Sequence, residues 1–396
     1  MDVGDSTHKL KVIQVITHLD LGGAEEVAIS LAEALYQDVD FVFFAVLGIA
    51  DNQIGRDFLQ RLTRLGIPVY SGTTIGMKYG GALHAGWQLS RLARRLRPDL
   101  IHVHTEIPEM TYACATLFGL SAKVRLIRTI HNSSLWPAWA RIGRWAEGRM
   151  AGAKAAAVSQ AGLDGLWRFQ TEQGRPLSPA DDTEVIYNGV ARGVPPSEDS
   201  GPGRATRPLG QPVQVLFAGR FEVQKGVDLL PEIVEYAGRD TTQAVYLHVA
   251  GSGSKARELQ QWASRPDLKW EVGIHEPVPA LARRLQDGHF DIVLMPSRFE
   301  GLALVAIEAL LAGVPVVATR VPGLAEVFTP DYPLLAPSED SRAIGRLLAQ
   351  AINRLPDYQD LTWRSIPLLH ERFSHRSMAE KYLELYSRTL APAASP

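Results

Sequence analysis

The chain has 396 residues, 46% apolar and 21% charged, with 41 lysines and arginines against 43 aspartates and glutamates. That length exceeds one ordinary core and fits two domains of roughly 150 to 200 residues each. The balance excludes a disordered, fibrous or membrane-embedded chain, and it offers neither the basic coat of a nucleic-acid binder nor an acidic tail.

Residues 1–11 place Asp2, Asp5 and His8 ahead of any apolar run, unlike the basic start and apolar centre of a secretory signal. Short β-branched runs then alternate with longer helical patterns, as in parallel strands joined by crossover helices. Strands are expected at 11–17, 40–47, 100–104, 125–129, 155–158 and 184–187. Between the first two, Ala24, Val27, Ala28, Leu31 and Leu35 recur at helical spacing directly after Gly22 and Gly23. Cys114, the only cysteine, excludes an internal disulfide and a cysteine-rich zinc site and fits a reducing compartment, so the cytoplasm is the expected location.

Residues 192–212, rich in proline, glycine, serine and charge, read as a surface linker. The pattern restarts with strands expected at 213–218, 245–250, 268–272, 291–295 and 314–318. The apolar stretch 302–319 is interrupted by Glu308, Gly313 and Pro315, so it reads as a buried helix, a turn and a buried strand rather than a membrane span. Met378, Tyr382, Leu385 and Tyr386 mark an amphipathic C-terminal helix that needs a surface to cover. The division predicted is an α/β domain over 1–191, the linker 192–212, a second α/β domain over 213–365, and a segment 366–396 returning to the first domain.

Ligands of open α/β sheets bind beyond the carboxyl ends of the strands, so the loops there carry the candidate residues. Gly22 and Gly23 permit close backbone approach at a helix N-terminus, where free N–H groups receive an anion; a tight turn alone would explain one of them. Arg220 and Lys225, in Gly219-Arg220-Phe221-Glu222-Val223-Gln224-Lys225-Gly226, follow a strand and suit a diphosphate, although single surface cations are usually just solvated. Glu300 lies just before a helix, and Glu308 interrupts that helix's apolar face; its alternatives are a buried ion pair or an exposed position. The amides of Leu302, Ala303 and Leu304 at the helix start form a second anion site. His131, directly after a strand, suits a sugar hydroxyl, whereas His102 and His104 lack a third ligand at metal spacing and read as packing and polar fill.

Together these residues resemble the retaining, GT-B-fold glycosyltransferases of family 4, a group that includes bacterial polysaccharide and glycolipid transferases. The match runs through Gly-Gly-Ala-Glu at 22 to 25, His131, Ala-Val-Ser at 157 to 159, Tyr-Asn-Gly-Val at 187 to 190, Gly219-Arg220 through Lys225-Gly226, Ala-Gly-Ser-Gly at 250 to 253, Glu300 and Glu308. The resemblance implies two Rossmann-like domains facing across a cleft, with a hexose moved from a UDP- or GDP-sugar to a glycan, lipid-linked or small-molecule acceptor. It implies that Arg220 and Lys225 bind the diphosphate with the amides of Gly23, Leu302, Ala303 and Leu304, that Glu308 binds the ribose, and that Glu300 and His131 contact the sugar. Gly22 and Gly251 join the donor-binding loops, and residues near His275 border the base. Many relatives carry Phe-Gly where this chain has Leu302-Ala303, which alters the sugar pocket's shape but keeps its amides.

Family behaviour further implies retention of anomeric configuration, with a phosphate oxygen taking the acceptor's proton, and no cofactor or metal. Fixed cations and dipoles themselves favour the charge that develops on the diphosphate. Asp38-Val39-Asp40 spells a metal-binding Asp-x-Asp but precedes a strand instead of following one, so it reads as solvated charge. Competing readings are an epimerase or hydrolase acting on nucleotide sugars, and a non-catalytic nucleotide-sugar-binding protein. A nicotinamide dehydrogenase fits less well, since Gly251-Ser252-Gly253 lacks the third glycine of its fingerprint. Trp136, Trp139 and Trp145 with Arg141, Arg144 and Arg149 read as acceptor-side packing, with peripheral membrane contact and core filling as the other two readings.

Overall fold

The computed structural model describes residues 9–391 apart from 21, 122, 176, 180–181, 191–209 and 279. It comprises two compact units, residues 1–189 with 375–396, and residues 190–374. Most of the linker expected at 192–212 lies outside the described residues. Residues 366–374 belong to the second unit, so the C-terminal return begins at His375 rather than at 366.

The first unit runs β1 (Leu10–Ile16), α1 (Gly23–Leu35), β2 (Val39–Ala45), α2 (Gln53–Arg64), β3 (Val69–Ser71), α3 (Gly81–Leu96), β4 (Leu100–His104), α4 (Glu106–Leu117), β5 (Arg125–Ile130), α5 (Ala140–Arg149), β6 (Lys154–Ala157), α6 (Gln160–Glu172) and β7 (Thr183–Val185). Its parallel sheet has the order β3-β2-β1-β4-β5-β6-β7. The central strands are buried on both faces, which is why Val12, Ile13, Val15 and Ile16 form a nearly continuous apolar run instead of alternating. Side-chain caps start two of the crossover helices: Asn52 accepts from the Gly55 amide on α2, and Ser159 from the Gly162 amide on α6.

The second unit runs β8 (Val213–Ala218), α7 (Leu230–Asp240), β9 (Val245–Ala250), α8 (Ala256–Ala263), β10 (Glu271–His275), α9 (Leu281–Gln286), β11 (Ile292–Met295), α10 (Leu304–Leu311), β12 (Val316–Thr319), β13 (Leu335–Ala336), α11 (Ser341–Asn353) and α12 (Leu355–Arg372). Its sheet, also parallel, has the order β10-β9-β8-β11-β12-β13. A final helix, α13 (His375–Leu390), belongs to the first unit and packs on α1 and β5.

Two strands differ from expectation in position. The one expected at 268–272 is β10, displaced because a turn at Pro266-Asp267 delays chain extension until after the buried Trp270. The one expected at 314–318 starts at Val316, after Pro315, which has no N–H to give to a ladder. Among the described residues no helix is long and apolar enough to cross a membrane, and 302–319 is α10, a turn and β12.

One charged cluster sits inside the first unit's core. Arg128 on β5 donates from Nε to Glu109 of α4 at 2.8 Å, and from Nη1 to Glu147 of α5 at 2.6 and 2.9 Å. All three side chains are almost fully buried. Two carboxylates share one guanidinium, and burial pushes the Glu109 carboxyl up to about 7 despite that partner.

The tryptophan segment turns inward. Trp136 is 2% exposed, and Trp139 and Trp145 pack against the core, so they fill the first unit instead of presenting an aromatic surface. An exposed apolar row lies elsewhere in this unit: Ile75, Tyr79, Leu83 and Trp87 recur every fourth residue into α3, beside the exposed cations Lys78, Arg91, Arg94 and Arg95.

Candidate active site

Each sheet has one place where the chain reverses its direction of travel: between β1 and β4 in the first unit, and between β8 and β11 in the second. The loops leaving neighbouring strands there diverge and open a crevice beyond the carboxyl ends. In the second unit those loops are 219–226 and 296–303. They bring Lys225 and Glu300 together: the ammonium donates to both carboxylate oxygens, at 2.6 and 2.8 Å. Ser297 gives Glu300 a further bond at 2.7 Å. Glu300 is nearly buried and Lys225 about one-fifth exposed, so the pair is shielded but reachable from solvent.

The loop holding Lys225 is tied down on both sides. Gly226 has φ +69°, and a side chain there would run into the Pro296 carbonyl, so only glycine lets this loop lie against the end of β11. Arg298 closes the other side, donating to Asp228 at 2.7 and 2.9 Å, to the Val223 carbonyl at 2.5 Å and to Glu339. The 250–254 loop adds a third support, with Phe221 N–H on the Ser252 carbonyl at 2.6 Å and Ser254 bonded to Glu222. Four groups that fix the site's geometry, Ser297, Arg298, Asp228 and Gly226, were not foreseen as its supports. Their positions beside Lys225 and Glu300 in sequence are the only signal they carry.

The other second-unit candidates divide. Arg220 is exposed and bonds Gln224 at 2.6 Å. The amides of Leu302, Ala303 and Leu304, at the start of α10, make no hydrogen bond among the described residues, so this helix end keeps its donors for an anion. Glu308 is half-buried on α10, which corrects the premise that it lies on a closed apolar face. The Gly251 amide is engaged by the His275 carbonyl at 3.0 Å, so that amide is not a free donor. His275 is exposed at the end of β10, and its Nε2 lies 3.3 Å from Nδ1 of His248, whose pKa burial lowers to about 4.

In the first unit, Gly22 caps α1 and Gly23 is its first residue. The side chain of Glu25 folds back against Gly22, leaving no room there for a Cβ. Burial raises the Glu25 pKa, while its own amide and that of His18 oppose the shift. An internal carboxyl thus stands at the helix start where an external anion was expected. At the β1/β4 switch, Thr17 and Thr105 meet through their hydroxyls at 3.1 Å. Thr105 has φ 71°, a strained value for a residue with a branched side chain, and strain of this kind gathers at functional sites.

His131, following β5, is half-buried and lines a small hollow with Thr105, Glu106, Glu109 and Asn132. Its Nε2 lies 3.0 Å from Nδ1 of His104, so the histidine assigned to polar fill is the direct support of the candidate ligand. Burial lowers His102 and His131 to about 3 and His104 well below its ordinary value, which keeps all three neutral. Asp40 lies at the opposite, amino end of its strand and pairs with Lys11 at 3.5 Å.

Two family models match the chain: "Glycosyltransferase Family 4" over residues 21–192 and "Glycosyl transferases group 1" over 204–363. A D-inositol 3-phosphate glycosyltransferase of Xylanimonas cellulosilytica is 38% identical over 128 residues, 31% of this chain and 30% of that protein. A 2-deoxystreptamine N-acetyl-D-glucosaminyltransferase of Streptomyces fradiae is 26% identical over 370 residues, 88% of this chain and 85% of its own length. Anabaena Alr3699/HepE, solved in complex with UDP and glucose, superposes with a TM-score of 0.75 at 20% identity, covering 96% of this chain and 100% of that one. A mutant of Staphylococcus aureus TarM, solved in complex with UDP and glycan ligands, superposes with a TM-score of 0.69 at 13% identity, covering 95% and 99%.

Proposed function

Because the chain belongs to the family 4 glycosyltransferases and has their GT-B fold, we propose that it moves a hexose from a UDP- or GDP-sugar to a glycan, lipid-linked or small-molecule acceptor. The observation that carries this reading is the Lys225–Glu300 pair beside three unbonded amides at the β8/β11 switch. A diphosphate bound there meets Lys225, Arg220 and the positive end of α10. Breaking the anomeric bond builds negative charge on that diphosphate, and these groups stabilise it without having to reorganise. They supply the positive charge for which other transferases recruit a divalent cation, so the reaction is read as metal-independent.

In this mechanism the incoming diphosphate competes with Glu300 for Lys225. The carboxylate so released turns to the hydroxyls of the transferred sugar, while Glu308 takes the ribose and His131 a further sugar hydroxyl. Configuration is retained, with the acceptor entering on the leaving group's side and a phosphate oxygen accepting its proton. A thermal-shift screen of UDP, GDP, ADP and their sugars in EDTA tests donor and metal independence together. One nucleotide is expected to stabilise the chain by about 2.7 kcal/mol at a hundredfold excess over its Kd. A shift appearing only when magnesium or manganese is restored counts against the mechanism.

Under the same reading the enzyme works at a cytoplasmic membrane face, which it meets through Ile75, Tyr79, Leu83 and Trp87 and their flanking cations rather than through the buried tryptophans. Apolar side chains rimmed by cations suit an anionic lipid surface. Flotation with anionic vesicles is expected to carry the protein upward at low salt, and Leu83→Ser with Trp87→Ser to leave it at the bottom. Equal flotation of that double variant would refute the surface.

A further inference from the structure

His131 belongs to a buried hydrogen-bond chain that ends on the C-terminal helix. From His104, Nε2 lies 2.7 Å from Oε1 of Gln14 on β1, and Nε2 of Gln14 donates to the Tyr386 hydroxyl of α13 at 3.1 Å. Tyr386 lies 2.8 Å from Nδ1 of His102, and His102 Nε2 lies 2.7 Å from Thr129 Oγ1. Thr129 in turn meets the Tyr382 hydroxyl at 2.8 Å. Beyond His131 itself, no member is more than 1% exposed, so water offers no substitute partner.

A neutral imidazole donates at one nitrogen and accepts at the other. The Gln14 carbonyl oxygen only accepts, so His104 carries its proton on Nε2 and accepts at Nδ1. His131 must then donate from Nε2, which leaves its Nδ1, bonded to nothing among the described residues, as a bare lone pair. The Gln14 amide nitrogen only donates, so Tyr386 accepts from it and gives its own proton to His102. Turning the amide over would reverse every bond from His102 to His131 at once; no mixed order keeps all of them made.

We propose that Gln14 and Tyr386 are positioning residues that hold His131 in its Nε2–H tautomer, so that His131 recognises the transferred sugar by accepting a hydrogen bond from one of its hydroxyls. The sugar clause rests on the proposed function; the tautomer does not. A sugar lacking that hydroxyl leaves the lone pair unmatched and is discriminated against, since unpaired buried polar groups are costly.

The test reads the tautomer directly, by 15N spectra of the full-length protein labelled at histidine, without nucleotide sugar; His131→Asn identifies the His131 signals. The expected wild-type state is a protonated Nε2 and a bare Nδ1. Tyr386→Phe removes the group that orients the amide, and Gln14→Met interrupts the chain at nearly constant volume. In both, the His131 signals should become a mixture of tautomers, and kcat should fall by about tenfold to a hundredfold. Tyr382→Phe removes an equally buried hydroxyl of the same helix that bonds Thr129 rather than the Gln14 amide, and it should leave the tautomer unchanged. A protonated Nδ1 in the wild type, an unmixed His131 in both Tyr386→Phe and Gln14→Met, or equal mixing in Tyr382→Phe overturns the proposal. A wild-type chain with the expected tautomer and no transferase activity overturns the proposed function and leaves the network standing.

Discussion

Lys225→Ala is expected to lower sugar transfer by about a thousandfold, or about 4 kcal/mol of transition-state stabilisation. Lys225 is held firmly at the β8/β11 switch, its loop fixed by Gly226 on one side and Arg298 on the other, and Arg298 is itself taken up by Asp228 and Glu339, whereas Arg220 is exposed and tethered to Gln224. Removing it takes a fixed charge away from the leaving diphosphate and strips the nearly buried Glu300 of its ammonium partner, leaving the Ser297 hydroxyl still bonded to it. Glu300→Gln separates the two consequences. It frees Lys225, so nucleotide binding by thermal shift should survive or strengthen, while transfer falls because the sugar loses its carboxylate. Lys225→Ala should lose both. Transfer within tenfold of wild type in Lys225→Ala, measured on a protein with an unchanged melting midpoint, would refute the site.

The second large effect concerns stability. Arg128→Met should cost about 3 to 5 kcal/mol, because it leaves the buried Glu109 and Glu147 facing each other without a counter-charge. Denaturant titration measures this as a lower midpoint. The cluster is imperfectly satisfied even when intact: Glu109 Oε2 and Arg128 Nη2 have no hydrogen-bond partner. Replacing all three members by apolar residues of similar size should therefore recover most of the loss, as removing a strained buried ion cluster often does. An Arg128→Met cost below about 1 kcal/mol would show that the two buried carboxylates do not depend on this guanidinium.

The central strands were legible because burial on both faces writes itself as unbroken apolar runs; Leu100–His104, Val213–Ala218 and Val245–Ala250 fall where the pattern puts them. Of the short edge strands, β3 and β13 were not, their three and two residues carrying no period, whereas β7, also three residues long, overlaps the strand expected at 184–187. Among the site residues, the candidates Lys225 and Glu300 were identifiable by their places after strands, but their mutual pairing spans 75 residues and leaves no local trace. Glu308 differs from expectation for a local reason: Leu304, Val305 and Glu308 share an open side of α10, so the helix is not buried all round as its apolar composition suggests. The tryptophan segment failed likewise, because aromatic and basic residues look the same in sequence whether they cover a core or face a lipid. His102 and His104 were read as packing, and they are packed; what escaped notice is that their hydroxyl partner, Tyr386, arrives from the far end of the chain.

The three histidines that the first unit keeps neutral also set how the fold meets acid. In an unfolded chain each takes up a proton near pH 6.5, whereas in the folded chain His102 and His131 do so only near 3 and His104 also well below 6.5. Their contribution to stability is complete above pH 6.5 and drains away as pH falls toward 3, by about 1.4 kcal/mol per pH unit for each proton. Glu109 has the opposite sign: with its folded carboxyl raised to about 7 from 4.5, its contribution is present below 4.5 and fades as pH rises through 7. Three protons outweigh one, so these buried groups together make the first unit lose stability as pH falls below 6.5.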